Sequence, residues 1–424
     1  MNRSRHTPPA GAAPSSLWSN RDFLKLWAAH TAETFGSLMG ALSFTAALIL
    51  DATPRQMALL AAAGTAPGLA AGLPAGLWVD RLPRRQVLIV ADVGRAIAMG
   101  SIPVAYAFGA MHIAHLYAVA FATGLLDVFF DAAHPSFVPF VVRRDQLVAA
   151  NSRMSGTASA VEIGAFGVSG WIAQLASAIA SVVVNAAAFL ASGALLFFMR
   201  VREPRGGGAT ATGPLRAELV EGLRFLWGQP ALRALSAAHV LRGLSGGIIG
   251  GLILVFGIRE LGFAPGVLGM IFAVGGISSL GGAFIAPALT RRFGIGPVIA
   301  ATGAIIGFAI LLIPLARGPL VIAGAFLVGQ QLLGDWAWAV YDINELSLRQ
   351  ALTPDKVRGR VNSGVRWLGV VAALGGSLLA GAIVGWAGMR WTLAIAGVAT
   401  LSAAALLAVS PVRRLKETPG EGVA

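Results

Sequence analysis

The sequence predicts an all-α membrane protein with twelve transmembrane helices in two six-helix halves. Three observations predict it. Of 424 residues, 56% are hydrophobic and 12% charged, and mean hydropathy is +0.74. That is about half the charged share of a soluble domain and too little polar surface to cover one. Apolar runs of about 20 residues, the length that crosses a bilayer, recur along the chain. Finally, the basic residues fall in alternate connections.

The elements follow in order. Residues 1–20, beginning MNRSRHTPPAGAAPSS, are polar and rich in Pro, Ala and Ser, and no cleavage pattern follows them. This reads as a disordered cytoplasmic tail rather than a signal peptide. The N-terminal half, 21–200, holds runs near 24–50, 56–79, 86–108, 113–135, 150–172 and 177–200. A linker at 201–230 begins with a flexible Gly206-Gly207-Gly208. Its Leu215, Leu219, Leu223 and Leu226 then recur at helical spacing, which predicts an amphipathic helix along the membrane surface. The C-terminal half, 231–412, holds runs near 231–257, 264–289, 296–316, 319–342, 362–385 and 389–410, followed by a tail at 413–424.

With these spans, the even-numbered loops and both tails carry 24 of the 32 Lys and Arg residues. The odd-numbered loops carry 4: Arg55, Arg259, Arg317 and Arg390. Such an asymmetry places the basic side in the cytoplasm. Both termini are expected there, which requires an even number of spans. An internal echo supports two halves. VVRRDQLVAANS ends at Ser152 and LTPDKVRGRVNS at Ser363, 211 residues later, and the same offset carries Asp131 to Asp342. A parallel repeat about the membrane normal gives this pattern.

Composition also excludes classes. Cys is 0, so disulfides and thiolate metal sites are ruled out. His30, His112, His115, His134 and His239 are scattered, so neither a metal site nor any other cofactor is expected. The net charge of +13 is distributed by topology, so nucleic acid is not an expected partner. No nucleotide-binding motif appears, and energy is expected from an ion gradient.

Ionisable residues within spans are costly and usually face the bundle or a cavity. Glu33, with His30 nearly one turn before it, is the deepest case. Asp127 and Asp131 are four apart and share a helix face. Glu162 lies inside span five, and Arg242 is the cation of the second half. Asp335 has Trp336 and Trp338 beside it, rings that could line a cavity or anchor helices. Asp342 and Glu345 are expected at the cytoplasmic end with Arg349 and Arg360, and Arg366 in the same layer. The cavity candidates are thus Glu33, Asp127, Glu162, Arg242 and Asp335.

GLWVDRLPRR, residues 76–85, carries the clearest resemblance. Gly76, Asp80, Arg81, Arg84 and Arg85 match the loop between spans two and three of the major facilitator superfamily, and Asp92 and Arg95 continue the pattern. Pro83 stands where Gly is common. The chain is most similar to the branch of enterobactin exporters and macrolide-efflux-type proteins, for which DKVRGRVNS before span eleven is typical. It lacks that branch's Arg in span four and its Gly-Pro in span five. The resemblance implies that Gly76, Asp80, Arg81, Arg84, Arg85, Asp92 and Arg95, with Asp131, Asp342 and Arg360, form a charge network between the halves that gates the cytoplasmic side. It implies a monomeric transporter of the cell membrane rather than an enzyme. Its partners would be a small organic substrate, protons and membrane lipids. Proton-coupled export of a drug-like or siderophore-like compound is the expected function, and proton-coupled uptake of a small metabolite the alternative. The carboxylates could admit cations and Arg242 could favour anions, and the sequence leaves that choice open.

Overall fold

The computed structural model describes residues 17–72, 74–201, 203 and 224–416, apart from the side chains at 76, 77, 80, 144, 355 and 356. Residues 1–16 of the expected N-terminal tail, the linker's amphipathic helix up to residue 223 and most of the C-terminal tail lie outside these residues; the end of that helix, 224–228, is helical, with Leu226 buried against Val361 and Val365. Thirteen α-helices are described: α1 (Arg21–Leu38), α2 (Ala41–Leu48), α3 (Pro54–Ala71), α4 (Pro74–Arg81), α5 (Arg84–Ala107), α6 (Ile113–Val141), α7 (Leu147–Leu175), α8 (Ala178–Phe197), α9 (Pro230–Val255), α10 (Pro265–Phe293), α11 (Ile295–Leu315), α12 (Leu320–Ala351) and α13 (Asp355–Val409). A π-helical turn, Phe256–Glu260, extends α9.

Local chemistry sets several boundaries. Asn20 caps α1 by accepting from the Asp22 and Phe23 amides. Thr53 and Gln56 form a capping box at α3, with Pro54 as the first helical residue. The first expected span is divided at Gly40, whose φ of 59° fits glycine and starts a new helix. The second is divided after Gly72.

Among the described residues, eight helical elements are long and apolar enough to cross a membrane: α5, α6, α8, α9 with its π turn, α10, α11, α12, and the stretch 357–409 of α13. The chain is therefore an all-α protein of many spans. The difference from the expected twelve has physical reasons. α1–α2 and α3–α4 are each divided. α7 carries Asn151, Arg153 and Glu162 among its apolar residues. α13 contains two of the expected runs. At 55 residues it would be roughly 80 Å long if straight. Gly388, at φ 78°, interrupts it. Contacts show that its arms run in opposite directions. On the first arm Gly369 meets His239 and Ser377 bonds Gly247 O, a parallel pairing with α9. On the second, Arg390 bonds Pro314 O and Gly397 meets Leu311, an antiparallel pairing with α11 that ends where Gly296 N reaches Leu415 O.

Helices pack through small residues that let backbones approach, as lipid-embedded bundles require. A Cβ built on Gly247 would stand 1.9 Å from Ala373 O, and one on Gly124 would stand 2.1 Å from Gly64 O. One group comprises α1 to α8, in which α5 and α6 pack together, as do α1 and α8. The other comprises α9 to α13. Two seams join them, α3 against α13 and α9, and α7 against α10. At the second seam glycines let the backbones approach: Gly170 lies against Pro265 O and Gly269 against Phe166 O, while Ile163 seats on Gly276 and Trp171 on Gly266.

Among the described residues, polar contacts between the groups include Trp367 Nε1 donating to Leu69 O at 3.1 Å and a set on the face opposite the termini. There Arg259 of the π turn pairs with Asp51 at 2.5 Å, and Gly266 N donates to Gln174 Oε1 at 2.9 Å. Asp51 is itself left-handed, at φ 49°.

Candidate functional site

Two charged clusters and one cavity occupy the interior. The first cluster centres on Arg95 of α5. Its guanidinium reaches Glu33 of α1 at 2.9 Å, Asp127 of α6 at 2.5 Å and Asp92, one turn before it, at 2.5 Å. Asp92 also accepts from Ser192 of α8. Phe130 and Phe189 lie against the guanidinium, 4.6 and 4.4 Å from it. Glu33 accepts from Ser37, and His30 stands 3.8 Å from its other oxygen. The His30 ring stacks on that of His134, 4.4 Å away.

One cation thus ties four helices of the first group together. Glu33 and Asp127 are neighbours, as an intramembrane site would need. Asp92 and Arg95, expected between the halves, belong instead to this internal cluster, because the helix turns both inward at their three-residue spacing.

The second cluster centres on Arg242 of α9. It pairs with Asp342 of α12 at 3.0 Å and lies against the rings of Trp338 and Tyr341, 4.2 and 3.9 Å away. Glu345 pairs with Arg349 at 3.2 Å.

The cavity, of about 540 Å³, lies where α7 meets α9, α10, α11 and α12. Its walls are isoleucines and glycines with Phe166, Phe272 and Trp338. Its polar groups include Glu162, Gln330, Gln331 and Asp335. Glu162 comes from the first group of helices and Asp335 from the second. Gly275 admits the acid, since a Cβ there would stand 1.9 Å from Asp335 Oδ2. Neither Glu162 nor Asp335 has a cationic partner among the described residues.

The loop motif is placed differently from expectation. Gly76 and Asp80 lie on α4, but their side chains are outside the described residues. Arg81 is exposed. Arg84 and Arg85 begin α5, where Glu203 accepts from both backbone amides at 2.8 and 2.7 Å. The Arg85 guanidinium caps the end of α8 through Leu196 O and Phe197 O. Arg84 lies over Phe140. Each of these contacts is to a residue of the first group of helices or to Glu203 just after it. Arg360 is half-buried on the first turns of α13. Asp131 is exposed toward the gap and feels the charge of Arg366 from α13. Asp342, placed in the same network, is held by Arg242.

Sequence reasoning missed Ser192, Phe189, Glu203 and the Asp51–Arg259 pair. The i, i+3 spacing of Asp92 and Arg95 was the signal available for the first cluster.

These helices, with charges paired inside them and a cavity between their two groups, define a multi-spanning integral membrane protein. Residues 28–340 match the model of the Major Facilitator Superfamily, and the chain belongs to that superfamily. It is accordingly a secondary transporter and not an enzyme. It is 30% identical over 346 residues to the multidrug efflux pump Tap of Mycolicibacterium fortuitum, covering 79% of this chain and 82% of that protein. An uncharacterised transporter of the same type from Mycobacterium tuberculosis is 28% identical over 349 residues, covering 76% and 78%. Among solved structures, the nucleoside transporter NupG superposes with a TM-score of 0.72 at 13% identity, over 91% of this chain and 98% of that one. A bacterial homologue of the iron transporter ferroportin in an inward-facing state superposes with a TM-score of 0.74 at 18% identity, over 93% and 98%. At these identities the structural likeness is one of fold.

Proposed function

We propose that this chain exports a small amphipathic organic compound from the cell in exchange for protons, by alternating access between two six-helix halves. The observation that carries this is the cavity between the two groups of helices, with aliphatic and aromatic walls and one unpaired carboxylate from each group. A drug-sized molecule fits such a volume. Carboxylates held away from cations can take up and release protons as the site changes exposure. The 30% identity to a multidrug efflux pump supports export.

Twelve spans follow if α1–α2 and α3–α4 each make one crossing, α7 makes one, and α13 makes two about Gly388. The basic loops put the terminus face in the cytoplasm. Arg259–Asp51 and Gln174–Gly266 then hold the outer side shut. The protein acts as a monomer, with the cavity and both charged clusters in one chain.

Everted membrane vesicles with an imposed pH gradient test this against a panel of dyes, antibiotics and siderophores. Gradient-dependent accumulation of one compound, lost in Glu162→Gln and Asp335→Asn, is the expected result. Uphill accumulation in right-side-out vesicles under the physiological gradient would replace export by uptake. Movement indifferent to the gradient, or unchanged in both variants, would overturn proton coupling at this pair.

A further inference from the structure

We infer that the cavity takes an organic cation, held between Glu162 and Asp335. This rests on the transport reading of that cavity and adds the charge of its substrate.

The argument is one of pairing. A carboxylate within the span region needs a compensating charge or a strong hydrogen bond. Glu33, Asp92 and Asp127 share Arg95, Asp342 has Arg242, and Glu345 has Arg349. Among the described residues Asp131 has no ion pair, but it is exposed and feels Glu33 and Asp127 first and then the cations Arg366 and Arg95. On the outer face Asp51 has Arg259 and Glu260 has Arg390. Glu162 and Asp335 differ from all of these. Among the described residues neither has an ion pair, and the charge that acts on Asp335 is that of Glu162. Both line the cavity, whose walls contain no Lys, Arg or His.

Arg242, the residue that could have favoured an anion, is not part of that wall. Trp338 lies between, with one face against the guanidinium and its ring on the cavity lining. The aromatic rings Phe166, Phe272 and Trp338 offer faces to a delocalised or alkylated cation. The two acids come from opposite groups of helices. One bound cation therefore bridges them and relieves the repulsion between like charges across the seam. A neutral ligand cannot do this, and an anion would add to the repulsion.

Equilibrium binding to the purified full chain in detergent tests the inference with two ions of matched shape, tetraphenylphosphonium and tetraphenylborate. The cation binds saturably and at least tenfold more tightly than the anion. Glu162→Gln and Asp335→Asn each weaken cation binding at least tenfold with an unchanged melting midpoint. Asp145→Asn, in the exposed loop before α7, leaves it unchanged. Should Asp335→Asn fail to fold, Glu162→Gln, whose side chain is exposed to the cavity, carries the test alone. Equal affinity for the two ions, cation binding indifferent to Glu162→Gln, or binding of neither ion by folded protein overturns the inference. If it fails while gradient-driven export of a neutral or anionic compound persists, the export reading stands. Tight cation binding without gradient-driven movement would remove export and keep the cation site.

Discussion

Replacing Arg95 by Met tests the interior most directly. The side chain is 1% exposed, and three carboxylates lie within 2.9 Å of its guanidinium. Met has similar length and fills much of the space between Phe130 and Phe189. The change therefore removes charge and hydrogen bonds more than volume. Breaking a buried ion pair by deleting one partner costs about 3–5 kcal/mol. A chain of 424 residues melts with an entropy of roughly 0.9 kcal/mol/K, so a loss of about 4 kcal/mol lowers the midpoint by about 4–5 °C. Arg95→Lys keeps the charge but cannot fork toward three acids, and should lose about half as much. Tryptophan fluorescence during heating of the detergent-purified protein reads both. An Arg95→Met midpoint within about 1 °C of the parent would refute the idea that this cation organises the four helices.

Other positions give sharper or smaller effects. Gly247→Ala would put a methyl group 1.9 Å from a backbone oxygen of α13. Overpacking of this kind costs at least about 1–3 kcal/mol, and gel filtration should show a smaller monodisperse yield. Glu203→Gln removes the negative charge that caps α5 and should cost about 1 kcal/mol, seen as a midpoint lower by about 1 °C. Asp51 is 93% exposed, so Asp51→Asn should leave the melting curve unchanged. It should instead speed maleimide labelling of a Gln174→Cys variant, in a chain that otherwise has no cysteine.

How much of this was legible in the sequence differs from element to element. Apolar runs found the helices because lipid demands length and hydropathy of each span separately. Gly40 and Gly388 were harder to interpret, since a glycine in a membrane helix serves close packing as readily as a turn. Glu162, Asp335 and Trp338 could be singled out because ionisable groups and indoles are conspicuous against alanine and leucine. That Trp338 stands between Arg242 and the cavity depends on how α9 and α12 are rotated, which no local pattern encodes. The partners of the loop's basic residues depend on the same kind of placement. The arginines follow one another in sequence, yet Arg85 turns to α8 and Arg95 to α1 and α6. Glu203, 119 residues after Arg84, anchors the loop from the far side of four helices in sequence.

The seam between α7 and α10 has a mechanical consequence. Most helix pairs mesh, with side chains of one seated in hollows of the other, and parting them means withdrawing every tooth. Here Gly170 and Gly269 bring backbone against backbone over part of the seam, and only a few side chains, such as Ile163 on Gly276 and Trp171 on Gly266, are seated in hollows. Such surfaces can roll past one another with few discrete obstructions. The resistance to motion then comes from those side chains and the few polar pins at the rim, and a single methyl group added to either helix would act as a brake.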